Sequence, residues 1–510
     1  MRPASTKAKS APPDLLGYLL HRIATFILTI FAVCLSIGTA YSAEKPLEHG
    51  VPNIVLILAD DLGWTDVGCF GTKFYETPNI DRLAKEGMRF TNAYTNGPNC
   101  APTRACLMSG KYSPRHGVFT VGDPWRGAKN RRKMIPVPNN TTLASEEVTI
   151  AEALKTAGYT SAAIGKWHLG GQGNLPTDQG FDLNVGGSHS GSPAGGYHLP
   201  NRMKLPKAKK GEYLTDHLTD RGVEFIEEHK NGPFFLYQSY HSVHTPIQSK
   251  KEYKEKYDKK PVPEGSKHSH AAYAGMVQSL DEGVGKILEK LDDLGIADRT
   301  VVVFMSDNGG VGGYRDAGIG GTEITNNAPL RGGKGMLYEG GIHVPMIVRW
   351  PGVVEPGSQC DVPVITTDFY PTFLAIAGAK GDPKHKLDGR SLLPLLLQTG
   401  KFARDAIYWH FPAYLQGYGG DDRTTPAGVI RSGDYKLIEF FEDGHVELYN
   451  LAEDIGEKND LAKKMPERAK ELHDKLIAWR KSVNAPMPKP NPDYNPAAKP
   501  GKKGKGKKKK

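Results

Sequence analysis

The chain has 510 residues, beyond the size at which a single hydrophobic core stops growing, so one large domain with a smaller companion is expected. Its net charge of +10 is concentrated at the ends: eight lysines lie in the last twelve residues, and Arg2, Lys7, Lys9 and Arg22 near the start face only Asp14. The body between is close to neutral, which argues against a nucleic-acid-binding surface, and five cysteines are too few for a dense disulfide framework.

In chain order, residues 1–43 read as an export signal: basic residues, an apolar run at 23–33, then small residues from Gly38 to Ala43. Cleavage near Ala40 to Ala43 would release the protein into a periplasm or outside the cell. Retention as a signal anchor is the alternative, because the run approaches the ~20 residues that span a bilayer. No other stretch is long and apolar enough to cross, so membrane association is expected only through this signal.

Residues 44–397 alternate short apolar runs with helical segments. The run 54–58 is continuously apolar, as in strands buried on both faces of a parallel sheet, and Asp60 and Asp61 follow it. The pattern recurs: 160–164 precedes Lys166 and His168, 234–237 precedes His241 and His244, and 301–305 precedes Asp307 and Asn308. Between these runs, Thr77-Pro78 opens a helix that Gly87 closes, and Thr149 with Glu152 forms a capping box ahead of a segment closed by Gly158. The spacing of Met276, Val277, Leu280, Val284, Ile287, Leu288 and Leu291 predicts a helix over about 270–294. This alternation predicts a doubly wound α/β domain, a mixed sheet flanked by helices, with the four polar groups gathered at the carboxyl edge where ligands bind.

After 397 the texture changes. Runs at 427–431, 435–438 and 446–450 are joined by Gly433-Asp434 and Asp443-Gly444 turns, and a helix follows over about 466–483. Residues 398–483 are therefore expected to form a small antiparallel sheet with one helix. Residues 484–510, rich in proline and lysine, are expected to be a disordered, solvated tail.

The most informative stretch is Asn99-Cys100-Ala101-Pro102-Thr103-Arg104-Ala105-Cys106-Leu107-Met108-Ser109-Gly110-Lys111. Pro102 suits the first turn of a helix and Gly110 its end. Cys100 then sits at or just before the N-terminus, where free N–H groups favour an anion or a thiolate. A buried structural cysteine is the plain alternative. Asp60, Asp61, Asp307 and Asn308 offer three carboxylates and an amide oxygen, hard ligands suited to Ca²⁺ or Mg²⁺ rather than zinc. A Gly-rich insert carrying Asn184, Ser188, His189 and Tyr197 is a candidate substrate rim. His241 is taken as a loop neighbour of His244 without chemistry of its own, and His343 as structural.

The 99–111 stretch resembles the sulfatase signature Cys-x-Pro-Ser/Ala-Arg with its Leu-x-x-Gly tail, with Thr103 where serine is usual, and the resemblance extends from Asn53 to about Tyr449. It implies an alkaline-phosphatase-like fold and a sulfuric ester hydrolase in which a formylglycine-generating maturation enzyme oxidises Cys100. It also implies a Ca²⁺ (with Mg²⁺ possible) held by Asp60, Asp61, Asp307, Asn308 and residue 100. Arg104, Lys166 and Lys334 would surround the sulfate, the two lysines standing in Gly-Lys-Trp-His-Leu-Gly and Pro-Leu-Arg-Gly-Gly-Lys-Gly. His244, in Val-His-Thr-Pro-Ile, resembles the histidine that contacts the leaving group.

In the implied reaction hydrated formylglycine attacks sulfur, the departing alcohol takes a proton from His244 or Lys334, and His168, with Lys166, assists sulfate release. Export suggests a sulfated carbohydrate as substrate. The rival readings are a formylglycine-dependent phosphonate or phosphate monoester hydrolase and a catalytically silent binder of sulfated glycans.

Overall fold

A computed structural model describes residues 50–498 except 322, 401 and 417–421. The expected export signal and the lysines of 499–510 lie outside the described residues. The large sheet comprises β1 (Asn53–Ala59), β2 (Met88–Phe90), β3 (Thr160–Gly165), β4 (Leu183–Val185), β5 (Phe234–Ser239), β6 (Thr300–Ser306), β7 (Met346–Arg349) and β8 (Ser358–Cys360). Its spatial order is β8-β2-β7-β6-β1-β5-β3-β4. Neighbours run parallel, except that β7 is antiparallel to both β2 and β6. This is the mixed doubly wound sheet expected.

The principal helices are α1 (Pro78–Glu86), α2 (Cys100–Ser109), α3 (Ile150–Lys155), α4 (Leu214–His229), α5 (Ala271–Asp293), α6 (Phe369–Ala377) and α7 (Pro466–Ser482). Central β1 explains why its sequence is unbroken in apolarity. Val55, Ile57 and Ala59 enter a core shared with α1, α4 and α5, while Ile54, Leu56 and Leu58 enter one shared with α2, α3 and α6. Both faces are covered, so positions 54–59 are all apolar, whereas Asn53 at the strand start is buried with its amide donating to Thr300 Oγ1 at 3.2 Å, and each large side chain gains roughly 1.5–3 kcal/mol on burial.

The four strands that end in reactive residues, β6, β1, β5 and β3, are consecutive neighbours in the sheet. In register, Ala59 pairs with Ser306, and Ser239 pairs with both Leu58 and Gly165. Asp307, Asp60 and Lys166 therefore leave the sheet at nearly one level, with the His241 loop between them.

The capping box forms: Thr149 N donates to Glu152 Oε2 at 2.7 Å, and Glu152 N donates to Thr149 Oγ1 at 3.3 Å. Thr77 does not cap α1 with its side chain. Its hydroxyl instead accepts from Gly68 N at 2.7 Å.

The second sheet is antiparallel, with β9 (Ile407–Phe411), β10 (Ala427–Ser432), β11 (Tyr435–Phe440) and β12 (Val446–Asn450) in sequence order. Leu472, Leu476 and Trp479 of α7 enter its apolar face. Within residues 484–498 the expectation of disorder is corrected. Lys489–Pro490 pairs with Met134–Ile135, and Asn491 Nδ2 donates to the carbonyls of Lys129 (3.0 Å) and Arg132 (2.7 Å). Those partners lie more than 300 residues upstream in sequence, beyond the reach of a compositional reading. Cys69, Cys100, Cys106 and Cys360 are free thiols. Among the described residues no helix is long and apolar enough to cross a membrane.

Candidate active site

Helix α2 begins at Cys100, with Asn99 as its extended N-cap and Gly110 closing it at φ 66°. The Asn99 side chain donates to Thr120 Oγ1 at 3.1 Å, which ties the helix start to the loop beyond it. Thr103 faces inward and its hydroxyl donates to the carbonyls of Gly97 (3.1 Å) and Asn99 (3.2 Å), so it braces the turn that presents Cys100. Burial pushes the Cys100 thiol above its usual range, which disfavours a standing thiolate here. His168 Nδ1 lies 3.3 Å from the sulfur.

Around this residue, carboxylates and cations alternate. Lys166 Nζ sits 2.6 Å from Asp60 Oδ2, and Lys334 Nζ 2.5 Å from Asp61 Oδ1. Arg104 Nε donates to Asp307 Oδ2 at 2.8 Å, and Nη2 lies at ion-pair distance from the same oxygen, also 2.8 Å. Asp61 adopts a left-handed backbone (φ 65°), and Asn308 Nδ2 donates to Asp61 Oδ1 at 2.8 Å. Three buried carboxylates thus face three cations.

Two acceptors in this cluster, Asp60 Oδ1 and Asn308 Oδ1, are buried without a hydrogen-bond partner among the described residues. One ligand atom each from Asp60, Cys100 and Asp307 lie within 4.8 Å of one another, as do atoms of Asp60, Asp61 and His244. Orphaned oxygens of a hard donor set fit a bound Ca²⁺ or Mg²⁺.

The surroundings shift the titration of these groups in opposite directions. Burial, with Asp307 adding to it, pushes the Asp60 carboxyl well up. For Asp61, burial acts the same way but is outweighed by Lys334 and His244, which hold its carboxyl low. Burial, then Lys334, brings His244 down to about 3. Burial, then Lys166, likewise keeps His168 far below its usual value.

Arg104, expected around the sulfate, is bonded on several sides by the protein. It is fully buried, and besides Asp307 it donates to Lys166 O (2.9 Å), Tyr237 Oη (3.2 Å) and Ser239 Oγ (2.6 Å). Its Nε and Nη1 donors are spent on the residues that flank Cys100, and Nη2 has no hydrogen-bond acceptor among the described residues.

Of the four rim candidates in the insert, Tyr197 is buried and donates to the carbonyls of His241 (2.5 Å) and His244 (2.8 Å), an internal anchor of the histidine loop. Asn184 closes a turn on Gly187. Ser188 and His189 are exposed, and Ser188 O accepts from His168 N at 2.9 Å. His343 is structural as expected, bonding Glu339 Oε2 (3.0 Å) and Thr91 O (2.6 Å).

Sequence reasoning missed three supports. Tyr237 and Ser239 lie on alternate positions of β5, which could have marked them as one face. Asp66 takes bonds from Gly63 N (2.7 Å), Tyr273 Oη (2.5 Å) and Thr325 Oγ1 (2.5 Å), fixing the turn after Asp61.

Balanced carboxylates and cations around a buried first-turn residue suit an enzyme that breaks an anionic ester with the help of a bound cation, on a sheet of alkaline-phosphatase-like architecture. Residues 52–379 match the sulfatase family model, and residues 333–482 match that of the N-sulphoglucosamine sulphohydrolase C-terminal region. The chain belongs to the sulfatase family and is a sulfuric ester hydrolase.

A sulfatase of Formosa agariphila is 36% identical, covering 90% of this chain and 94% of its own. Human N-acetylgalactosamine-6-sulfatase is 34% identical, covering 70% and 68%. The crystal structure of Ps i-CgsB in complex with k-i-k-neocarrahexaose superposes with a TM-score of 0.69 at 32% identity, covering 84% of this chain and 92% of that one.

Proposed function

We propose that this sulfatase removes sulfate from sulfated carbohydrates outside the cytoplasm, with Cys100 matured to formylglycine by a formylglycine-generating enzyme. Asp60, Asp61, Asp307, Asn308 and residue 100 would hold Ca²⁺, which the flexible carboxylate set suits better than the strict octahedron of Mg²⁺. The observation that carries the reading is Cys100 itself, buried in the first turn of α2 among the orphaned oxygens of the cation cage. The carbohydrate class is supported by the names of the human relative and of the Ps i-CgsB complex, and export by the signal-like residues 1–43.

When in place, formylglycine supplies a hydrated aldehyde as nucleophile and the cation supplies Lewis acidity. The chain's own residues do the rest. Lys166 and Lys334 compensate the negative charge that the sulfate brings out of water. Arg104 orients Asp307 and the Lys166 main chain. His168 Nδ1, 3.3 Å from residue 100, exchanges a proton with that side chain.

His244 Nδ1 donates to Thr245 O at 2.7 Å, which leaves Nε2 bare, 3.8 Å from Asp61 Oδ2. The standing proton for the leaving oxygen is therefore that of the Lys334 ammonium, whose charge Asp61 sustains against burial.

The test is turnover of an aryl sulfate against the matching aryl phosphate and phosphonate monoester, by enzyme made alongside a formylglycine-generating enzyme. Preferred sulfate turnover, with the Cys100 peptide shifted from thiol to aldehyde mass, is the expected result. Preferred phosphonate turnover, or an unmodified thiol in active enzyme, would overturn it.

A further inference from the structure

On β5, Phe235 and Tyr237 enter the core on the α2 side, and Ser239 reaches Arg104 from there, while Leu236 and Tyr240 enter the opposite core. Extended pairing continues past the strand end, since Tyr240 N donates to Leu58 O and Asp60 N donates to Ser242 O, each at 2.9 Å. The period of two therefore places His241 on the α2 side, one step beyond Ser239 at the carboxyl edge. Its main chain is fixed, because its carbonyl accepts from Tyr197 Oη (2.5 Å) and from His244 N (2.9 Å).

The His241 side chain is 3% exposed, and neither ring nitrogen has a hydrogen-bond partner among the described residues. Burial, then the charges of Lys166 and Arg104, hold the ring neutral. A neutral imidazole carries one N–H donor. Leaving a buried donor unmet is costly, and sequences rarely keep one without a use for it.

The two lysines nearby are engaged, Lys166 with Asp60 and Lys334 with Asp61, while Arg104 spends Nε on Asp307 and Nη1 on Lys166 O, Tyr237 and Ser239 and keeps Nη2 without a hydrogen-bond acceptor among the described residues. A sulfate group presents only acceptors. We propose that His241 is a further substrate-contacting residue of this sulfatase, its ring N–H donating to a sulfate oxygen held beside Lys166 and His244. This rests on the sulfatase reading above and adds to it a residue that binds the sulfate group itself.

The test uses the full matured chain and three variants: His241→Leu, His241→Asn and His241→Gln. Three quantities are compared: melting temperature, kcat/KM on an aryl sulfate, and the inhibition constant of inorganic sulfate. His241→Leu is expected to keep or raise the melting temperature, since it removes an unmet buried polar group. It should lower kcat/KM and weaken sulfate inhibition, each by about tenfold, the scale of one lost hydrogen bond to a charged group.

Asn carries its amide N–H near the position of Nδ1, and Gln near that of Nε2, so the variant that recovers sulfate inhibition identifies the donor. A lowered melting temperature with unchanged kcat/KM and unchanged sulfate inhibition would reduce His241 to packing and overturn the proposal. Where His241→Leu fails to fold, the Asn and Gln variants carry the same comparison. Should the wild type not turn over aryl sulfate at all, the sulfatase reading fails. The stabilisation of wild type and variants by inorganic sulfate then decides on His241, and equal stabilisation overturns its role.

Discussion

Asp60 divides its two oxygens between opposite tasks. Oδ2 takes the Lys166 ammonium at 2.6 Å, while Oδ1 is buried with nothing to accept from. In Asp60→Asn the amide removes one negative charge from the cage and leaves Lys166 without its counter-ion. Calcium affinity by titration calorimetry is expected to fall by at least about tenfold, the scale at which even outer partners of a metal site act. The calcium-dependent rise in melting temperature should vanish with it; undiminished calcium binding would remove Asp60 from the cage. Tyr237 tests the support rather than the cage. Tyr237→Phe deletes one of the Arg104 bonds, worth about 1 kcal/mol, so kcat should drop less than about tenfold with KM unchanged in steady-state assays. Both residues bear on what a sequence reveals. Asp60, Cys100 and Lys166 were legible because each follows a recognisable strand or opens a helix. The true surroundings of Arg104 were not, because Tyr237, Ser239 and Asp307 reach it only once β5 and β6 lie on either side of β1.

At the scale of elements, local chemistry was the legible part. The apolar runs of β1, β3, β5 and β6, the capping box of α3 and the proline start of α1 all depend on residues within a few positions of one another. Strands β2, β7 and β8 are three or four residues long and owe their existence to partners far off in sequence. Strand β9 escaped because it reaches β10 through a long connection rather than a tight turn. One glycine shows how tightly the elements that frame the site approach. Gly165 ends β3 at φ 107°, and a Cβ there would meet Ser239 O at 1.9 Å. Lys166 N donates to that same carbonyl at 2.7 Å, so the residue before Lys166 has no room and no permitted conformation for a side chain. Gly165→Ala is expected to cost more than about 2 kcal/mol in urea unfolding and to lose activity along with it. A variant of native stability would mean that β3 and β5 can separate without disturbing the sheet.

At the scale of the molecule, the second sheet is tied to the catalytic edge through a buried cluster of charges. Lys436 of β11 lies 2.8 Å from both Glu339 Oε1 and Glu457 Oε1, and all three side chains are fully buried. Glu339 stands five residues beyond Lys334, where the loop runs into the short helix Glu339–Ile342. It also takes Tyr94 Oη at 2.6 Å and His343 Nδ1 at 3.0 Å, and Arg431 reaches the Tyr94 hydroxyl. One ammonium between two carboxylates leaves them unequal. Glu339 is held below its usual range, since Lys436 and His343 outweigh its burial. Burial, opposed by Lys436 and reinforced by Glu339, pushes Glu457 from 4.5 up to about 7. Across that window the folded chain binds the Glu457 proton more tightly than the unfolded chain does, so its contribution to stability falls as pH rises from 4.5 to about 7. The Glu339 contribution runs the other way, being present above its unfolded value and lost as pH drops below it. Glu457→Gln keeps an oxygen to accept from Glu339 N, the bond that Oε2 now makes at 2.7 Å, but it cannot ionise. Melting temperature measured from pH 4.5 to 8 is expected to decline less steeply in Glu457→Gln than in the wild type, with the two curves furthest apart above pH 7. Parallel curves would show that Glu457 titrates at an ordinary value, and that the charge joining the second sheet to the Lys334 loop is shared differently among these three side chains.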